Sequence, residues 1–476
     1  MRIQLLSDSE YERLADDVAR VLKEVGYFVD HPLVKEKALG AGCRETTKGR
    51  VLFSHEQIEE LRRKLVRQAA GRMIKPDEQK VAAKDYPALR SGIGNLTPKY
   101  YDYRSKMTKA VDTAVFKDML KFAHAEPRIS SITPLARQDG DPRWEQLEDI
   151  VLIAELTDKD IGGVDPITPE SIPYLAEMAA VLGKPVSFIG SCNCVNPPLR
   201  LENRTAEAML IKSRYHVRSM ITTMPALGAS GPVDIYGSAV LATAEIVGGL
   251  ILSYIIDPDA PLMGYVACCQ LDMKTGNITS STSQTVRLDA TVYQAMEKCF
   301  GGCTAVGGRG YISARTPGLQ AVFERFLKAR GYSLFVDDGA FGYSGTGNLD
   351  NGSVFSPEQY ILDLEIMEAL NHLMVAPRLP LSGDIVERIK SGVESGGNFM
   401  TDDHTLSHFR DELWESFCFG TGSQALSEDV IITKCNTKYM ERLASYKPSG
   451  HPSKVAQKLR EILQRAKTSF SASATR

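Results

Sequence analysis

The chain has 476 residues, of which 43% are hydrophobic and 24% charged, with a formal net charge of −3. These proportions are those of a soluble globular protein and exclude a disordered chain. No basic block is present, which excludes nucleic acid and an anionic membrane surface as expected partners.

The opening segment, MRIQLLSDSEYERLADDVARVL, carries acids early and lacks the apolar stretch of a signal peptide. Nine cysteines, an odd count, then read as reduced thiols in a cytoplasmic protein. Residues 9–70 read as helical, with Val18, Val21, Leu22 and Val25 at helical spacing. Ser54-His55-Glu56-Gln57 has the pattern of a capping box. Asn95 to Arg104 (NLTPKYYDYR) is an aromatic connector.

Strands are expected near 128–134, 160–165, 185–193, 219–226, 261–269, 303–308 and 333–341, with an eighth near 374–382. Thr168-Pro169, Thr316-Pro317 and Ser356-Pro357 each place a capping residue before a proline suited to the first helical position. Apolar runs alternating with capped helices predict a parallel α/β fold. No GxGxxG follows the first strand and about eight units can be counted, so a (β/α)8 TIM barrel is expected rather than an open sheet. A bare barrel needs about 250 residues. The remainder divides the chain into an N-terminal helical region and connector (1–125), a barrel core (126–380) and a C-terminal helical extension (381–476). The run SAVLATAEIVGGLILSYII (238–256) imitates a membrane span, but Glu245 and two glycines at its centre read as a buried barrel helix.

Between Pro261 and Glu365 one unit recurs three times: an apolar run, a loop of Gly, Asn, Ser and Arg, then a helix. The loops would gather at the C-terminal mouth, where such barrels do chemistry. That mouth is rich in aromatic and amide groups. Tyr265, Phe341, Tyr343 and Phe355 offer faces for a cation. Arg309 and Arg315 can hold a carboxylate, with Asn348 and Gln270 assisting. Cys192, Cys194, Cys268, Cys269, Cys299 and Cys303 lie at or near strand ends, yet no CxxC pair or nearby His completes a zinc site, so no metal is expected. His404 and His408 share a helical face without the HExxH pattern. Lys184, Lys274 and Lys328 are not placed on strands, as a Schiff-base lysine should be. A metal- or lysine-dependent barrel enzyme and a non-catalytic betaine-binding protein are the alternatives.

Several stretches go further. Asp257-Pro-Asp-Ala-Pro261, Leu271-Asp-Met-Lys-Thr-Gly276, Ala314-Arg-Thr-Pro-Gly-Leu-Gln-Ala321, Ser356-Pro-Glu-Gln359 and the segment from Gly396 to Arg410 (GGNFMTDDHTLSHFR) resemble the trimethylamine methyltransferase family. The likeness spans roughly residues 9–445. The chain has only the standard twenty residue types, so it resembles the branch without pyrrolysine. That resemblance implies methyl transfer from a quaternary amine, with glycine betaine favoured and proline betaine or carnitine as other candidates. It implies cob(I)alamin on a separate corrinoid protein as acceptor, no tightly bound cofactor, and no catalytic acid or base, because the work is positioning. The long apolar helices and the extension point to a homo-oligomer.

Overall fold

The computed structural model describes residues 2–70, 90–336, 345–373, 384–420 and 426–473. Seven short parallel segments form its centre: β1 (Ser91–Ile93), β2 (Ile129–Ile132), β3 (Asp160–Ile161), β4 (Cys192–Cys194), β5 (Ser219–Thr223), β6 (Leu262–Val266) and β7 (Thr304–Val306). Ladders join β1 to β2 to β3, and β4 to β5 to β6 to β7, all parallel. A single parallel bridge between Val164 and Ile189 links the two groups. Strand order follows chain order, with helices between. The chain is therefore mixed α/β with a parallel sheet. Among the described residues no ladder joins β7 to β1.

Several expectations change in detail. The segment 185–193 begins with a 3-10 turn, Val186–Phe188, before β4. The strand expected at 333–341 is helical as far as it is described, because Leu319–Phe335 is one helix and 337–344 lie outside the described residues. The eighth strand near 374–382 also lies outside them. The helix after Thr316-Pro317 starts two residues late, at Leu319: Gly318 sits at φ 137°, and the Leu319 amide donates to the Glu428 carboxylate. β1 escaped notice because three residues, Ser-Gly-Ile, carry too little pattern.

The N-terminal region is not wholly helical. Tyr27–Val29 pairs antiparallel with Arg50–Leu52 and parallel with Arg200–Leu201. Gly26 makes this possible: it turns the chain at φ 67°, where an added Cβ would strike the Val51 carbonyl. The flanking helices are as read. Ser54 and Gln57 close their capping box at 3.2 and 2.8 Å, and Ser356 caps Pro357–His372. The connector 95–104 contains Lys99–Asp102, a strand antiparallel to Met107–Ala110.

Two apolar cores result. One joins Leu14, Val18, Leu22 and Tyr27 to the helices Ile235–Ile256 and Ser283–Cys299 behind β4 to β7. The other joins Leu459, Leu463 and Phe470 of the C-terminal helix Ser453–Ser473 to Ile150, Leu175 and Met178 behind β2 and β3. The apolar helix Ile235–Ile256 has the length and composition of a membrane span, but 78% of its apolar window is buried inside the protein. Tyr27 donates to the Glu245 carbonyl at 2.7 Å in its middle.

Candidate functional site

Side chains alternate along β4 to β7. Asn193 donates to Ser219 Oγ, which meets Ser253 of the outer helix Ile235–Ile256, so this row faces outward. Cys192 and Cys194 face the other way with Thr222; Cys192 Sγ lies 3.1 Å from Thr222 Oγ1. Register then aligns Thr222, Tyr265 and Ala305 in one inward layer.

Beside Cys192 and Cys194, at the C-terminal ends of the strands, lies a cavity of about 420 Å³. Its wall is drawn from elements far apart in sequence. Asn95 and Leu96 follow β1, Asp165 follows β3, Cys192 to Cys194 form β4, Arg204 and Lys212 come from the helix Asn203–Ser213, and Tyr311 and Asn351 close the far side. The volume suits a small ligand. The wall is polar at several points, and both signs of charge are present.

Each polar group has a visible support. The Asp165 carboxylate is exposed to the cavity and accepts from the Cys192 amide at 3.4 Å; Gly190 leaves room for it, since a Cβ there would collide with it. Lys212 is buried and donates to the Cys192 carbonyl at 2.9 Å and to Asn193 Oδ1 at 3.2 Å, and burial lowers its pKa. Tyr311 is pushed up to about 12, chiefly by burial. Burial also raises Tyr265 well above the ordinary tyrosine range, with Tyr311 adding to the effect. Both phenols are therefore neutral donors near neutral pH.

A buried scaffold holds the Tyr311 side in place. Lys328 donates to the Tyr311 carbonyl at 2.6 Å, and burial lowers its pKa to about 8. Arg325 donates to the carbonyls of Gly310 and Asn348 at 3.0 and 2.9 Å and pairs with buried Asp363 at 3.1 Å. Lys328 is thus a support behind the wall, not a strand-borne amine.

Gly307 is a sharp steric requirement. Its backbone is ordinary, but an added Cβ would collide with the Tyr265 ring. Gly307→Ala should lower unfolding stability by about 1–3 kcal/mol, as overpacking does. Gly40→Ala, at a helical site with nothing within 4 Å, should be neutral or slightly stabilising. Chemical denaturation of both variants checks the pair, and equal midpoints would remove the steric argument.

The residues singled out from sequence fall in different places. Phe355 is buried against Tyr360, with ring centroids 6.3 Å apart, and lines no part of the cavity. Asn348 is fully buried and pairs with Phe355 in an antiparallel ladder behind the wall. The turn Asp350–Gly352 brings both there by folding their strands onto the Lys99–Asp102 strand. Gln270 accepts from the Thr282 hydroxyl at 3.0 Å at the start of the helix Ser283–Cys299. Arg315 is exposed and reaches Asn277 at 3.4 Å and Asp350 at 3.6 Å, outside the cavity wall. The backbone of Arg309 forms a 3-10 turn beside Tyr311. Phe341 and Tyr343 lie outside the described residues.

Asp165, Lys212 and Tyr311 went unread in the sequence. The signal for Asp165 was present in GGVDP, a carboxylate one residue past a strand-forming Val, but Lys212 looks like an ordinary helical lysine. Among the described residues one group of three could hold a metal, His216, Asp257 and Asp259. It precedes β5 and β6, at the opposite end of the strands, and Asp257 already accepts from the amides of Asp259 and Ala260.

These features define a mixed α/β protein with a small-ligand cavity at the C-terminal ends of its parallel strands. The family model for trimethylamine methyltransferase (MTTB) matches residues 1–471, and the chain belongs to that family of methyltransferases. It is 22% identical to a glycine betaine methyltransferase of Desulfitobacterium hafniense, over 98% of each chain. It is also 22% identical to a trimethylamine methyltransferase MttB of the same species, over 80% of this chain and 76% of that one. The MttB of Methanosarcina barkeri is 23% identical over 80% and 77%. Crystal structures of the monomethylamine methyltransferase MtmB of Methanosarcina barkeri and of a hydroxylamine MtmB complex align with 91% of this chain and 92% of theirs, at TM-score 0.45 and 11% identity.

Proposed function

We propose that this chain moves a methyl group from a small quaternary amine, glycine betaine first among them, to cob(I)alamin carried by a separate corrinoid protein. The observation that carries the reading is the end-to-end match to a glycine betaine methyltransferase, taken together with a cavity that offers both signs of charge. Asp165 and the Tyr311 ring, both in the cavity wall, suit a trimethylammonium head. Arg204 and Lys212 suit a carboxylate. Arg309, Phe341 and Tyr343, which flank the same wall in sequence, remain contributors to this assignment in place of Phe355 and Asn348.

The chemistry asks little of acids and bases. A quaternary nitrogen leaves as a neutral amine, so no proton is delivered. The reduced corrinoid supplies the nucleophile. What remains for this chain is to align nitrogen and methyl for in-line attack and to exclude water. Charge on nitrogen falls in the transition state, so too strong a grip on the cation would favour the ground state. A cavity of about 420 Å³ takes a betaine but not a corrin ring, which fits an acceptor presented from outside. We further propose that the seven segments belong to a (β/α)8 barrel, and that the protein is cytoplasmic and a homo-oligomer. Nine free thiols support the location, and exposed Phe323 and Phe326 on one helix support self-association.

The test is a panel of quaternary amines with the partner corrinoid protein in its Co(I) state, followed by loss of Co(I) absorbance. Glycine betaine should turn over, and Asp165→Asn should weaken its binding by roughly up to fivefold, the size of a partly solvated ion pair. Calorimetric binding without turnover would make the chain a binder. Turnover with no member of the panel would overturn the assignment.

A further inference from the structure

The cavity wall carries a second chemistry that methyl transfer does not use. Cys192 and Cys194 stand two apart on β4, so their side chains share the inward face. Their sulfurs are 3.5 Å apart. Two residues of strand rise put their Cα atoms about 6.6 Å apart, at the upper limit of the span that a disulfide bridges, so closing the bond draws the two Cβ atoms together and bends this short strand. Both line the cavity, and Cys194 is exposed there.

We propose that Cys192 and Cys194 form an oxidisable dithiol in the cavity wall, which peroxide converts into an intrastrand disulfide. Cys194 attacks the peroxide O–O bond as its thiolate, giving a sulfenic acid and hydroxide. The Cys192 thiol then attacks that sulfur; the S–O bond breaks, and the Cys192 proton leaves with the hydroxyl as water. Two thiols are oxidised and one peroxide is reduced to two waters.

The surroundings suit these roles. Cys194 is the exposed sulfur of the pair, and its contact with Cys192 lowers its pKa. Cys194 is thus the attacking thiol and Cys192 the resolving one. The Lys212 ammonium lies behind them, on the Cys192 carbonyl. Zinc would need further ligands, and no third His, Cys, Asp or Glu among the described residues joins the pair in a metal-sized cluster.

The protein supplies its own comparison. Cys418 and Cys435 are equally close, 3.4 Å, but both are buried. Proximity alone would oxidise both pairs; reactivity set by access and thiolate character picks out the cavity pair.

The experiment treats the reduced full-length protein with about one equivalent of hydrogen peroxide, alkylates the remaining thiols, and maps peptides by mass. The peptide containing both Cys192 and Cys194 should appear unalkylated, two hydrogens lighter, and revert with dithiothreitol. The Cys418 and Cys435 peptides should be alkylated. Cys192→Ser should leave Cys194 as a sulfenic acid that dimedone traps, while Cys194→Ser should show neither product; circular dichroism confirms that both variants fold. Alkylation of both cavity thiols after peroxide, prior oxidation of the Cys418–Cys435 pair, or stoichiometric zinc held by the cavity pair would each overturn the proposal. These readouts use no methyl donor, so they stand or fall separately from the proposed reaction.

Discussion

Arg325→Met should lower the stability of the fold by about 3–5 kcal/mol, the cost of leaving one partner of a buried ion pair alone. The guanidinium is fully buried and meets Asp363, the Gly310 carbonyl and the Asn348 carbonyl together. Asp363 would keep the Gly347 amide and Gln359, each at 2.8 Å, but lose its counter-charge. The Gly310 carbonyl lies beside Tyr311, so the loss reaches the cavity wall. Adding Asp363→Leu should recover part of the stability, since the stranded charge is then removed. Denaturant midpoints for both single variants and the double variant decide the matter. A parent-like Arg325→Met midpoint would mean that the pair supports nothing.

Glu245→Gln should act through pH. Burial within Ile235–Ile256 raises the Glu245 carboxyl from 4.5 to about 7, even though it accepts from the Leu199 amide and the Thr223 hydroxyl. Between those two values the folded chain keeps a proton that the unfolded chain has lost. Stability is therefore complete below about pH 4.5 and declines as pH rises to about 7, by on the order of 3 kcal/mol. The amide is neutral at every pH and keeps the acceptor oxygen. Parent and Glu245→Gln should match near pH 4, and the variant should be more stable at pH 8. Melting curves at the two pH values check this, and parallel profiles would show that Glu245 is ionised throughout.

Much of the architecture was legible because it rests on local signals. Capping at Ser54 and Ser356, the period of the apolar runs and the buried charge in 238–256 each name their own element. What failed was the part fixed by distant contacts. Tyr27–Val29 is a strand because Arg50–Leu52 and Arg200–Leu201 lie on either side of it, and β1 pairs only with β2 among the described residues. The same division applies to the site. That chemistry would gather at the strand ends followed from the fold, but the wall was sought in the three late units, whereas Asp165, the Cys192–Cys194 strand and Lys212 come from earlier ones. Phe355 shows why: an aromatic after an apolar run reads alike whether it faces a ligand or, as here, Tyr360.

The single bridge between Val164 and Ile189 is where the sheet is thinnest. One step beyond it on either side stand Asp165 and Gly190, and the cavity takes its wall from both groups of strands, each backed by a different core. A molecule held between Asp165 and the β4 side would act as a staple across that seam. Because such a ligand binds only the closed seam, occupancy adds RT ln(1 + [L]/Kd) to the stability of the whole chain. Such a ligand would be part of the tertiary structure while bound, and its departure would leave the two groups of strands joined by that one bridge.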